Sequence, residues 1–119
     1  MKTKLSNKET GALGEKFAQE YLAKKGYKII ETNRRFSRLC EIDIIAQDRD
    51  TLVFVEVKTR TSDFCGSGLE AITKTKYGHI KIGLFTYLQE TKNKHKKFRI
   101  DAVSVVLTPS VKISHLKNI

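Results

Sequence analysis

The segment Leu52-Val53-Phe54-Val55-Glu56-Val57-Lys58 limits what this chain can fold into more than any other. It is rich in β-branched residues, carries its charges only at its end, and predicts a strand over residues 51–59. Directly before it, Asp48-Arg49-Asp50 is a turn signal and Glu41 to Gln47 reads as another strand, so the two form a hairpin. Tyr27 to Phe36, with Ile29 and Ile30 at its centre, predicts a strand ahead of both. Upstream, Leu13, Phe17, Tyr21 and Leu22 recur at helical spacing. They predict a helix from Asn7 to Lys25, capped by Ser6 or Asn7 and ended by Gly26. Ile72, Tyr77, Ile80, Leu84, Tyr87 and Leu88 mark a second helix over residues 69–90. Gly78 and Gly83 weaken it and suggest a break near Thr75–Gly78. Phe98 to Leu107 and Val111 to Leu116 close the chain as strands. The order αβββαβ(β) is that of an α/β fold in which helices flank a mixed sheet.

Composition bounds the partners. A chain of 119 residues, 39% of them hydrophobic, suits one domain over residues 1–119 and is too apolar for a disordered segment. Pro109 is the single proline, and neither a repeat nor a low-complexity linker divides the chain. No apolar run approaches the ~20 residues of a membrane helix, and the first residues carry neither a signal nor an anchor pattern. Cys40 and Cys65 show no metal-ligand spacing. These features predict a cytoplasmic protein in a reducing setting, with no membrane partner.

The net charge of +10 favours a polyanion, nucleic acid ahead of a membrane surface. Seven of those ten charges fall between Lys74 and Arg99, in a run holding Lys74, Lys76, Lys81, Lys92, Lys94, Lys96 and Lys97. Smaller basic groups are Arg34, Arg35 and Arg38, and then Lys58 and Arg60. Taken alone, the Lys92–Lys97 stretch is as well read as a solvated loop. The carboxylates Glu15, Glu41, Asp43 and Glu56 instead lie beside apolar positions, where an unbound charge is costly.

Alternation along strands places Glu41, Asp43 and Ile45 on one face and Leu52, Phe54, Glu56 and Lys58 on one face of the next strand. With an even-numbered hairpin loop, either Arg49-Asp50 or Asp48 to Thr51, Asp43 stands opposite Glu56, at ~5 Å between Cβ atoms. A three-residue loop would put them on opposite faces. Two carboxylates so placed suit Mg²⁺ or Mn²⁺, which take oxygen ligands and keep waters. Lys58 then projects beside them, where an ammonium can orient a water and offset phosphate charge. Glu15 falls at the edge of its helix's apolar stripe, as a carboxylate facing a cleft would. A lone Glu-x-Lys is ordinarily a cross-strand ion pair; the combination with Asp43 and Glu15 is the rarer pattern.

The string Asp43…Glu56-Val57-Lys58 resembles the divided metal-binding motif of the PD-(D/E)XK nuclease superfamily, with its restriction-endonuclease-like fold. More closely, the chain resembles the YraN-like family of small uncharacterised bacterial proteins. The matching stretches are GALGEKFAQEYLAKKGYKIIETN (11–33), EIDIIAQDRDTLVFVEVKTR (41–60), GSGLEAITKTK (66–76) and RIDAVSV (99–105). The arrangement is also similar to that of archaeal Holliday-junction resolvases, in which a helical Glu precedes a similar set, and this implies a homodimer. The resemblance implies that Asp43 and Glu56 ligate a cation with the Val57 carbonyl as a third donor. It implies that Lys58 is the catalytic lysine, and that Glu15 completes the site or holds a second cation. Glu41, as an additional acidic residue, and Lys76 match family positions without an implied role. Where the family pattern has Gly before Glu-Ile-Asp, this chain has Cys40, whose side chain excludes the close backbone approach a Gly allows.

His79, His95 and His115 are scattered, and His79 reads as a helix-surface residue. Tyr77 and Tyr87 fit the apolar stripe, and Phe36 and Phe64 beside the arginines pack against loops or stack on bases. The expectation is a divalent-cation-dependent endonuclease acting on DNA, ahead of RNA, with Arg34, Arg35, Arg60, Lys74 and Lys76 on the nucleic acid. Its rival is a non-catalytic nucleic-acid-binding module that uses the lysines alone, and a third reading is a basic subunit docking on an acidic protein.

Overall fold

The computed structural model describes residues 5–62, 72–92 and 97–119. Helix α1 spans Asn7–Lys24 and begins at a capping box: Ser6 Oγ accepts from the Glu9 N–H, and the Glu9 carboxylate accepts from the Ser6 N–H, each at 3.1 Å. It ends at Lys25, followed by Gly26 at φ +93°. Strands β1 (Lys28–Ser37), β2 (Cys40–Asp48) and β3 (Thr51–Arg60) follow, then helix α2 (Lys74–Glu90) and strands β4 (Lys97–Val106) and β5 (Lys112–Leu116). The element order is the expected one. The sheet runs β1-β2-β3-β4-β5, antiparallel throughout except for the parallel β3–β4 pair, which α2 bridges.

The second helix starts later than its apolar pattern suggests. Ile72 lies outside the helix, and Thr73, in extended conformation, accepts the Lys76 N–H as the cap that sets Lys74 as the first residue. From there α2 runs unbroken through Thr75–Gly78, because Ile80, Leu84, Tyr87 and Leu88 are anchored in the core and outweigh the glycines' low propensity. The Leu69–Ala71 portion of that expectation, with Phe64, Cys65, Lys94, His95 and Lys96, lies outside the described residues.

Strand β3 is buried from Leu52 to Val57 because each of its faces meets a helix. Val53, Val55 and Val57 pack with Ala18 and Leu22 of α1, and Leu52 and Phe54 pack with Ile80, Leu84, Tyr87 and Leu88 of α2. Each such fully buried large side chain contributes roughly 1.5–3 kcal/mol. Two glycines set the helix distances. A Cβ on Gly14 would run into the Thr59 side chain, and one on Gly83 would lie 2.6 Å from Cys40 Sγ. Cys40, buried as a free thiol, is thus the partner surface of Gly83, and that is how the helix accommodates a side chain there.

The feature that positions the site is a split in the sheet. The β2–β3 ladder pairs Asp48 with Thr51 across the two-residue turn Arg49-Asp50, with Arg49 at φ +57°, and continues to Ile44 opposite Val55. There it stops. Residues Cys40 to Ile42 remain paired only to β1, while Glu56 to Arg60 remain paired only to β4. Strict alternation also fails at this point: Ile42 and Ile45 both join the α2-side cluster, while Ile44 joins the α1 side. The expected common face of Asp43 and Ile45 is therefore interrupted, because β2 turns as it leaves β3.

Candidate functional site

Asp43 and Glu56 stand at the mouth of that split, at the position where the next rung of the ladder would fall. The even-numbered loop sets this register. In place of the missing rung, the Val57 N–H donates to Asp43 Oδ2 at 2.8 Å. Since N–H and C=O of one strand residue face the same neighbour, the Val57 carbonyl faces the gap as well. Glu56 is 5% exposed, and its Oε1 lies 3.6 Å from Lys58 Nζ and 3.5 Å from Lys76 Nζ. Its other oxygen, Oε2, is buried with no hydrogen-bond partner. A buried carboxylate oxygen without a donor carries a desolvation cost that a hydrogen-bond donor or a cation would offset.

The charges confirm how crowded the gap is. Burial, then the Glu56 charge and to a smaller degree Glu15, push the Asp43 carboxyl up to about 7 against the pull of the Val57 N–H and Lys76. Burial also raises Glu15, helped by Glu41 and Glu56, while hydrogen bonds to Asn33 and Asp43 oppose it. A hydrogen bond between the Glu15 and Asp43 carboxyls needs a proton on one of them, which fits an acid that titrates near neutrality. Asn33, at φ +51° within β1, is a contact of Glu15 that no motif or spacing marks.

The structure thus gathers Glu15, Asp43, Glu56, Val57, Lys58 and Lys76 from α1, β2, β3 and α2. It does not give every predicted residue a free hand. Arg34 is bound to Glu31 and bidentately to Glu90, and it lies over the Phe36 ring. Arg35 pairs with Glu41 at 2.8 Å, which explains why Glu41 is held at the strand edge. Phe36 stacks on Phe54 and meets Tyr87 edge-on, so it belongs to the core. Lys74 and Arg60 are exposed. Among the described residues no three His, Cys, Asp or Glu side chains converge on one point as a ready cation cage. The donors that fit a hard divalent cation are the orphaned Glu56 oxygen, Asp43 and the Val57 carbonyl, all oxygen atoms.

A second polar centre was not legible in the sequence. Asp101, fully buried on β4, accepts from Arg99 Nε at 2.9 Å and from the Asn118 N–H at 3.0 Å, and lies 2.7 Å from His115 Nε2. Arg99 continues to Tyr27 Oη at 2.5 Å and Asp48 at 3.1 Å, and His115 Nδ1 meets Tyr21 Oη at 3.3 Å. His115, read from the sequence as scattered, is a core residue whose carboxylate partner is fourteen positions away.

These observations define a small mixed α/β protein whose five-stranded sheet, flanked by two helices, opens around buried Glu56, half-buried Asp43 and two lysines. Among the described residues no helix is long and apolar enough to cross a membrane. The chain belongs to the uncharacterised protein family UPF0102, whose model matches residues 14–105. A UPF0102 protein of Dictyoglomus thermophilum is 44% identical over 109 residues, covering 92% of each chain. One from Syntrophus aciditrophicus is 49% identical over 104 residues, covering 87% of this chain and 80% of its own length. One from Caldanaerobacter subterraneus is 40% identical, covering 97% of both.

Proposed function

We propose that this protein is a divalent-cation-dependent endonuclease of restriction-endonuclease-like fold acting on DNA, structured or branched DNA in particular. The observation that carries the reading is the buried, unpartnered Glu56 oxygen beside Asp43 at the split between β2 and β3. Asp43, Glu56 and the Val57 carbonyl would hold Mg²⁺ or Mn²⁺, and the ion supplies Lewis-acid polarisation of a phosphate and of a water. Lys58, already beside Glu56, offsets charge developing on the phosphate and aligns the attacking water. Glu15, beside Asp43, completes the acidic set or holds a second cation. Lys76, with exposed Lys74 and Arg60, draws the phosphate backbone toward the gap. Arg34 and Arg35 join that surface only by leaving Glu90 and Glu41. A homodimer belongs to the same reading and is counted by sedimentation.

Supercoiled, linear and four-way-junction DNA incubated with Mg²⁺ or Mn²⁺ tests the proposal. Cleavage that Asp43→Ala and Lys58→Ala abolish is expected; absence of cleavage, or cleavage undiminished in Asp43→Ala, overturns it. A second reading, a non-catalytic nucleic-acid-binding module, is favoured by one observation: Lys58 and Lys76 already neutralise Glu56 without a cation. It requires binding with a salt slope of ~−0.9 per duplex phosphate contacted. It also requires indifference to Asp43→Ala and no calorimetric signal for Mg²⁺.

A further inference from the structure

Beside the carboxylates, between the first turns of α1 and the end of β3, lies a cavity of about 230 Å³ lined by Asn7, Thr10, Gly11, Glu15, Val57 and Thr59. Glu15 and Val57 belong to both the cavity and the acidic site, so the two spaces share a wall. Three properties say what it takes. At that volume it has room for one flat heterocycle or one pentose and too little for a base pair. Its lining, among the described residues, has an amide, two hydroxyls and a carboxyl but no lysine or arginine, so a phosphate would meet Glu15 without a compensating cation. Its polar groups are those that hydrogen-bond the edge of a neutral base or sugar.

The two glycines of α1 supply a separate argument. Gly14 is explained by packing, since a Cβ there would strike Thr59. Gly11 faces the cavity, and a Cβ there would meet nothing within 4 Å. Nothing inside the described molecule requires the missing side chain in a helix that alanine would favour. A bare helix wall beside an open polar cavity is what close approach of a ligand requires.

We infer that this cavity receives the base of one unpaired nucleotide of the nucleic acid, the one adjoining the phosphate at the Asp43–Glu56 site. The inference rests on the nuclease reading for that phosphate, but the cavity itself is tested apart from it. A nucleotide seated here has left its stack, so the substrate class is DNA with an unpaired nucleotide at the cut: forks, flaps, gaps and junctions. Fully paired duplex must first extrude a base.

The test uses the full chain and Gly11→Leu, which fills the cavity, with Asn7→Ala as a second variant and thermal unfolding to check folding. Thymidine and deoxyadenosine at millimolar concentration, without metal, are titrated into the ¹⁵N-labelled proteins. Shifts at the Thr10, Gly11, Val57 and Thr59 amides, lost in Gly11→Leu and weakened in Asn7→Ala, are expected. Shifts elsewhere, no shifts, or the same shifts produced by inorganic phosphate overturn the inference. In the DNA arm, Gly11→Leu reduces the preference for forked over fully paired DNA by roughly tenfold, the scale of one base's recognition. An unchanged ratio overturns the inference. A chain that takes up nucleosides but never cleaves DNA retains the cavity and loses the nuclease reading; one that cleaves DNA with no nucleoside response does the reverse.

Discussion

Asp101, fully buried, and Asp43, half-buried, are carboxylates on strands of one sheet, and they have opposite fates. Burial pushes Asp101 upward, but His115, Arg99 and the Asn118 N–H outweigh it, and the carboxyl is held below its ordinary range. Asp43 is half-buried with one backbone N–H and, desolvated and crowded by Glu56 and Glu15, is driven up to about 7. Asp101 ties β4, β5 and the C-terminal segment together, and Arg99 extends the network to Tyr27, just ahead of β1, and to Asp48 at the end of β2. Asp43 ties little and leaves its neighbour Glu56 with an orphaned oxygen. The difference separates polar groups that specify a fold from polar groups that the fold must carry.

The comparison breaks first on stability. Asp101→Ala strands the Arg99 and His115 side chains and is expected to cost about 3–5 kcal/mol in urea denaturation, whereas Asp43→Asn costs nothing at neutral pH. Equal losses would show that both sites are structural.

Divalent cation sharpens the contrast next. At a hundred times its dissociation constant, Mn²⁺ stabilises a binding-competent chain by about 2.7 kcal/mol. The wild type should show this as a raised Tm, Asp101→Asn should keep the response on a lower baseline, and Asp43→Asn should lose it. A rise that persists in Asp43→Asn places the ion elsewhere.

The pH slopes should have opposite signs. In metal-free buffer, native Asp43 holds its proton up to about 7 while the unfolded chain releases it near 3.8, so native protein binds more protons between those values. Its contribution is full below pH 4 and is lost as pH rises through 7. Asp101 is lowered, so its contribution is present above the unfolded value and is lost as pH falls through the folded one. Asp43→Asn should therefore flatten the decline in stability between pH 4 and 7, and leave the acid limb intact. Chemical denaturation across that range reads both limbs.

The smallest effect belongs to the strand edge. Arg35 and Glu41 are 61% and 39% exposed, and Glu41→Gln should change stability by less than about 0.5 kcal/mol. The same substitution frees Arg35 and should tighten DNA binding at low salt, measured by fluorescence anisotropy.

Much of this architecture could be read along the chain. Each element carried its own signal: a capping residue at Ser6, Gly26 after α1, the valines of β3, the turn residues Asp48 to Asp50. The start of α2 was misjudged because Ile72 continues the apolar period, while the cap at Thr73 decides where hydrogen bonding begins. The Asp101 network escaped notice because Asp101, Arg99, His115 and Asn118 each look ordinary in sequence and meet only when β4, β5 and the final residues close on one another. Arg34 and Arg35 read as free cations because Glu90 is fifty-six positions away and Glu41 is on the next strand.

The sequence by itself determined the element order and the hairpin, since turn chemistry and side-chain period act over a few residues, and it brought Asp43 to Glu56 and Lys58 only on the condition of an even-numbered loop. Tertiary structure alone decided that β2 and β3 part company after Ile44 and Val55, that Lys76 arrives from α2, and that one oxygen of Glu56 is buried without a partner. The physical reason is range. Alternation fixes which way a side chain points from its own strand, but burial and pairing depend on helices packed against the sheet from distant parts of the chain.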